Sequence, residues 1–240
     1  MLAAPALTLN ADEGCPKVRI GGYIGDRIDV CNRGMVMSRD VDELVEPFRH
    51  KDDTKSWSTE FIGKWMLGAM DMYRYNGDPA LLAKIEAGIR DLVSTQETDG
   101  FIGSYAPGAR LKHWDIWGRK YTALALLSYY DLTGDKAVLD AAARSIDCLI
   151  NDLESRDADI ARTGNYFGMA SCSVLEPVVW LYRETGAEKY LDFAERIVES
   201  IEEEGSSQLI TKALEDIPVS ARSAFPKKWW SFENGMKAYE

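Results

Sequence analysis

Histidine is almost missing from this 240-residue chain, with two in all, and the four cysteines, Cys15, Cys31, Cys148 and Cys172, stand far apart. No Cys-x-x-Cys occurs and no histidine pair lies near a cysteine, so the spacing encodes neither a zinc site nor a disulfide framework. Reduced, mostly buried thiols are expected, and surface or capping roles for His50 and His113. Basic residues are also scarce: 28 Lys and Arg stand against 39 Asp and Glu, a formal net charge of −11. A nucleic-acid binder neutralises phosphates with clustered Lys and Arg. The densest basic patch, Arg110, Lys112, Arg119 and Lys120, is interrupted by Asp115, which argues against nucleic acid as a partner. No apolar run approaches the roughly 20 residues that span a bilayer. The opening MLAAPALTLN has no basic residue ahead of its short apolar stretch, where a signal peptide carries one. The expectation is a soluble, cytoplasmic protein without a membrane partner. Phosphate loops and Gly-x-Ser-x-Gly are absent, and Gly21-Gly22-Tyr23-Ile24-Gly25 lacks the strand and helix context of a dinucleotide fingerprint.

What the chain does contain is a phrase repeated three times. Tyr73-Arg-Tyr-Asn-Gly77-Asp78, Tyr130-Asp-Leu-Thr-Gly134-Asp135 and Tyr182-Arg-Glu-Thr-Gly186-Ala187 each separate one helix-patterned stretch from another. Gly77 to Gly134 is 57 residues (134 − 77) and Gly134 to Gly186 is 52 (186 − 134). That period suits two helices and two loops. The second helix of each unit has one apolar face, as in Leu81, Leu82, Ile85, Ile89, Leu92 and Val93 opposite Lys84, Glu86, Arg90 and Asp91, so it is an outer helix. The first is apolar nearly all round; Tyr121 to Tyr130 carries no charge, so it is an inner helix buried on most sides. The fold class expected is all-α, an αα-hairpin array forming a partial (α/α)6 toroid. Residues 56–240 make the partial barrel, with Leu209 to Ile217 an extra helix and Gly235 to Glu240 opening a fourth inner helix. Residues 1–55, rich in Gly and Pro, read as an N-terminal wrap of loops and short strands.

Inner helices of such an array run parallel, so the loops that feed their N-termini open on one rim, where unpaired N–H groups meet the first-turn side chains. The rim positions are Trp57 and Glu60; His113, Trp114, Asp115 and Trp117; Asn165, Tyr166 and Cys172; and Trp229, Trp230 and Glu233. Five of the seven Trp residues fall among these positions. Aromatic faces interleaved with carboxylates and amides suit a carbohydrate, whose C–H faces stack on rings and whose hydroxyls need polar partners. The candidate substrate-binding set is therefore Trp57, Glu60, His113, Trp114, Asp115, Trp117, Asn165, Tyr166 and Glu233. For Glu60 and Asp115 the competing role is a first-turn carboxylate facing the helix dipole. An acid/base carboxylate pair would come from Glu60, Asp115, Glu176 and Glu233, without spacing to choose among them. Glu176, next to Pro177 in an apolar helix, is expected to be buried.

WSTEFIGKW (57–65), TQETDGFIGSY (95–105), HWDIWGRKYTALALLSYYDLTGD (113–135), TGNYFGMASCSVLEPVVWLYRETG (163–186) and ENGMKAYE (233–240) together resemble glycoside hydrolase family 127, the β-L-arabinofuranosidase-like enzymes. The resemblance runs in order from about Gly21 to the last residue. It implies an (α/α)6 catalytic barrel, followed in full-length members by β-sandwich domains, and a glycoside hydrolase acting on an oligosaccharide or glycoconjugate. It further implies a cysteine-thiolate nucleophile bound to zinc through cysteines and a glutamate, with a separate Glu as acid/base. Those motifs, a Glu-x-Cys and a Cys-Cys pair, follow the matched segments in the family and are not in this chain, so no catalytic residue, metal ligand or cofactor is carried over. Where the family has pocket histidines, this sequence has Glu60, Lys64 and Tyr121. A front part of a barrel, completed by the missing half or by a self-association partner, is the expectation. A sugar epimerase of the same fold and a non-catalytic carbohydrate- or protein-binding helical module remain open alternatives.

Overall fold

The repeated phrase is a helix stop and restart built from three local devices. The computed structural model describes residues 18–166 and 168–218. In it Gly77, Gly134 and Gly186 take left-handed φ of 64°, 72° and 66°, and each N–H donates back to the carbonyl of Tyr73, Tyr130 or Tyr182. This ends the first helix of each hairpin, since a residue with a Cβ is strained in that conformation. The polar residue before each glycine, Asn76, Thr133 or Thr185, accepts from the backbone N–H two positions on, at 2.8, 3.2 and 3.3 Å. Asp78 and Asp135 then cap the next helix through Ala80 and Ala137 N–H, both at 2.9 Å. The third copy carries Ala187 at this position and has no side-chain cap.

The resulting helices are α1 (Gly22–Cys31), α2 (Val41–His50), α3 (Glu60–Asn76), α4 (Pro79–Ser94), α5 (Asp115–Thr133), α6 (Lys136–Ser155), α7 (Met169–Cys172), α8 (Leu175–Thr185), α9 (Glu188–Glu202) and α10 (Leu209–Leu214). Among the described residues there is no strand; Asp53 and Tyr105 form an isolated bridge. The hairpins α3/α4, α5/α6 and α8/α9 pack side by side, with α5 between α3 and α8. The all-α hairpin array of a partial α/α toroid is thus the observed architecture. Inner helix α5 is buried over most of its length, from Asp115 to Tyr129, whereas α4 and α9 bury one face each, Leu81, Ile85, Ile89 and Leu92 on α4 and Tyr190, Phe193, Ala194 and Ile197 on α9. One continuous apolar core joins them.

The sequence period is also the spatial register. Glu60 meets Trp117, Lys64 lies over Tyr121 and Arg74 pairs with Asp131, each separated by 57 residues (117 − 60, 121 − 64, 131 − 74). Equal offsets at both ends mean that α3 and α5 run parallel and in phase. Two glycines let them come close. A Cβ on Gly63 would sit 2.4 Å from the Tyr121 carbonyl oxygen, and one on Gly118 would sit 2.1 Å from Thr59 Oγ1.

Several expectations need correction. Residues 18–55 are largely helical, not loops and short strands: α1 continues into a π-helical turn, Asn32–Met37, and α2 packs against α3 and α4. Asp40 caps α2 through Asp42 N–H at 3.0 Å, and its buried Leu44, Val45 and Phe48 supply an apolar face that the glycine content upstream obscured. The third inner helix is broken into α7 and α8. Glu176 is exposed, because it lies in the first turn of α8, where Pro177 is also tolerated. Cys15, Trp229, Trp230, Glu233 and the helix anticipated at Gly235 to Glu240 lie outside the described residues.

Candidate functional site

Three segments converge where the inner helices begin: residues 51–59 ahead of α3, 95–114 ahead of α5 and 156–166 ahead of α7. Tyr105 fastens the first two, since its buried hydroxyl donates to Ser56 C=O at 2.8 Å and accepts from Trp114 N–H at 3.2 Å. Burial pushes this phenol up to about 12. Asn165 N–H donates to the His113 carbonyl at 2.9 Å and brings the third segment in. Tyr105→Phe is expected to cost about 1–3 kcal/mol, because Ser56 C=O and Trp114 N–H each lose a partner in a dry setting. Urea denaturation measures it, and a change below about 0.5 kcal/mol would show that water replaces the hydroxyl.

On this frame four rings form a chain. Tyr166 lies 5.3 Å from Trp114, Trp114 lies 6.0 Å from Trp117, and Trp117 lies 5.1 Å from Tyr121, all edge to face. The Trp117 indole N–H donates to Glu60 Oε2, and Lys64 Nζ pairs with Glu60 Oε1 at 3.0 Å. Lys64 and Lys120 both lie over the Trp117 and Tyr121 rings, at 5.0 to 5.8 Å. Lys120 also faces Glu176 at 3.4 Å. All three inner helices thus contribute a charged group to one place: Glu60 and Lys64 from α3, Lys120 from α5, Glu176 from α8.

Of the residues anticipated from sequence, Glu60, Trp114, Trp117 and Tyr166 come together. Trp117 is buried, so its part is to hold Glu60 and support its neighbours, while Trp114, Tyr121 and Tyr166 are half-buried. Trp57 projects into solvent, 55% exposed, and His113 is exposed with its carbonyl holding Asn165. Asp115 is turned away. Its carboxylate, 1% exposed, accepts from Leu111 N–H at 2.8 Å and pairs with Arg119 at 2.9 Å, so it belongs to the interior. Arg119 continues to Asp152 at 2.7 Å and, with Arg110, covers the Phe101 ring. Lys120 was not among the anticipated contacts, and Tyr121 entered only through the family resemblance, at a pocket-histidine position. Helical spacing could have found Tyr121, which follows Trp117 by four residues as Lys64 follows Glu60.

A profile of the family described as "Beta-L-arabinofuranosidase, GH127 catalytic domain" matches residues 23–215, most of the chain and all of this site. The chain belongs to the GH127 family. Among solved structures, a "Glycoside hydrolase" matches with a TM-score of 0.56 and 23% identity over 85% of this chain and 29% of its own. A GH127 beta-L-arabinofuranosidase from Geobacillus stearothermophilus T6 matches with a TM-score of 0.54 and 16% identity over 80% of this chain and 32% of its own. The GH127 chain therefore spans about a third of the length of these structures, and at such identity they establish its fold. No curated protein matches it.

The zinc and thiolate implied by the family resemblance can be tested against the side chains present. Among the described residues no group of three or more His, Cys, Asp or Glu could hold a metal ion. Burial pushes the Cys148 thiol up to about 11 and the Cys172 thiol up to about 12, opposite to what a ligating thiolate requires. Cys31 lies exposed on α1. The described residues of this GH127 chain do not fit zinc. Among them, too, no helix is long and apolar enough to cross a membrane.

Proposed function

We propose that this GH127 chain forms the substrate-holding wall of a glycoside hydrolase with arabinofuranosidase-like activity. The observation that carries the reading is the ring chain Tyr166, Trp114, Trp117, Tyr121, bordered by the Glu60 carboxylate at the mouth of three inner helices. Half-buried rings offer faces and edges to sugar C–H groups. Glu60 offers acceptor lone pairs to hydroxyls, and its orientation is held by Trp117 and Lys64. Such a wall binds and orients a sugar ring, and orientation alone contributes much to the rate of a bond cleavage. Family membership supports glycoside hydrolysis as the chemistry.

Isothermal titration calorimetry with L-arabinofuranosyl oligosaccharides tests the reading. Stoichiometric binding is expected, with Trp114→Ala weakening it about tenfold or more, as stacking worth ~1–3 kcal/mol per ring would give. An unchanged affinity in Trp114→Ala, or no binding by the parent protein, would overturn it.

A further inference from the structure

Resting on that reading, we infer that the wall is selective for an anionic sugar, one carrying a carboxylate or a sulfate, which docks against Lys120 with Lys64 beside it. The two ammonium groups come from different inner helices yet lie over the same two rings, Trp117 and Tyr121. Only one of them is well answered. Lys64 pairs with Glu60 at 3.0 Å, and Glu60 is itself pinned by the Trp117 indole. Lys120 is mostly shielded, its side chain 12% exposed, and its ionic partner among the described residues is the exposed Glu176, farther off at 3.4 Å.

An ammonium has three donors and loses hydration when shielded. The ring faces return part of that loss through cation–π attraction, but they accept none of the three hydrogens in a directed bond. Glu176 is a loose counter-charge: its side chain is 56% exposed, at the first turn of α8. It can turn into water when a ligand anion arrives. A neutral sugar offers Lys120 hydroxyl acceptors but no counter-charge, and leaves two cations on one ring pair. An anionic sugar instead places its charge on Lys120 and its ring along Trp114 and Tyr121, and its hydroxyls reach Glu60.

The discriminating experiment is calorimetry of the protein and three variants against galactotriose, trigalacturonic acid and galactose 6-sulfate, with L-arabinofuranosyl oligosaccharides as the neutral reference. At least one anionic probe is expected to bind tenfold or more tighter than galactotriose, with an affinity that falls as salt rises. Lys120→Met should remove that preference, bringing the affinity for the anionic probe down to that for galactotriose in the same variant. Lys64→Met should reduce it in part. Glu176→Gln should tighten the anion several-fold, whereas a purely structural Lys120–Glu176 tie would leave affinity unchanged. Preference for trigalacturonic acid identifies a carboxylate and preference for galactose 6-sulfate a sulfate. Equal binding of neutral and anionic probes, or an anion affinity indifferent to Lys120→Met, overturns the inference and leaves the sugar-binding wall intact. If no probe of either kind binds, the wall itself fails and the inference with it.

Discussion

Replacing Arg119 by alanine is expected to lower the unfolding free energy by about 3–5 kcal/mol, a large part of a typical domain's stability. The guanidinium is fully buried and bridges Asp115 at 2.9 Å on its own helix to Asp152 at 2.7 Å on α6. Without it, two carboxylates face one another in the interior with less counter-charge. Arg110, 3.9 Å from Asp152, and Arg156, 3.3 Å from it, supply only part of what is lost. Asp115 would also hold the α5 N-terminus less firmly, since it accepts from Leu111 N–H. Urea denaturation of Arg119→Ala, Asp152→Ala and the double variant gives the coupling, expected to be ~0.5–3 kcal/mol. A loss below about 1 kcal/mol in Arg119→Ala would show that the site takes up water freely and that the network adds little.

Gly63→Val should have the next largest effect and should damage binding as well as stability. Even a Cβ there would lie 2.4 Å from the Tyr121 carbonyl oxygen and 2.6 Å from its Cβ, so α3 and α5 must separate. Backbone cannot yield as a side-chain tip can, and overpacking of this kind costs about 1–3 kcal/mol, with valine toward the upper end. Separation also pulls Glu60 from Trp117 and Lys64 from Tyr121, so sugar affinity should fall with stability. Gly68→Ala on the same helix is the control: nothing lies within 4 Å of its Cβ. It should be neutral or stabilising by ~0.5–1 kcal/mol through the higher helix propensity of alanine. Thermal melts and calorimetry on the pair separate the two effects. Equal behaviour of the two variants would mean that the α3–α5 seam is not close-packed in solution.

Much of the fold was legible because its signals are local. A glycine in the left-handed region, a polar residue before it and, in two of the three copies, an aspartate after it mark the end of one helix and the start of the next within six positions. The 57-residue period is also the spatial offset that sets Glu60 against Trp117, a pairing the structure supplies. Residues 18–55 were misread because their Gly and Pro content masked the short apolar face Leu44, Val45 and Phe48, which becomes informative only when α3 and α4 are there to receive it. Asp115 and Glu176 exchanged environments relative to expectation for a similar reason. Burial is a property of neighbours: Arg119 and Asp152 draw Asp115 inward, while Glu176, in the first turn of α8, stays exposed beside Lys120.

The sequence by itself determined the helical hairpin, its period and the division into inner and outer helices, because helix periodicity, capping and turn chemistry act over a few residues; the family lay in the resemblance of longer segments. Only the tertiary structure decided which rim residues meet. Whether a carboxylate points to solvent, to an indole or to a buried guanidinium depends on the close approach at Gly63 and Gly118, and that approach joins residues nearly sixty positions apart.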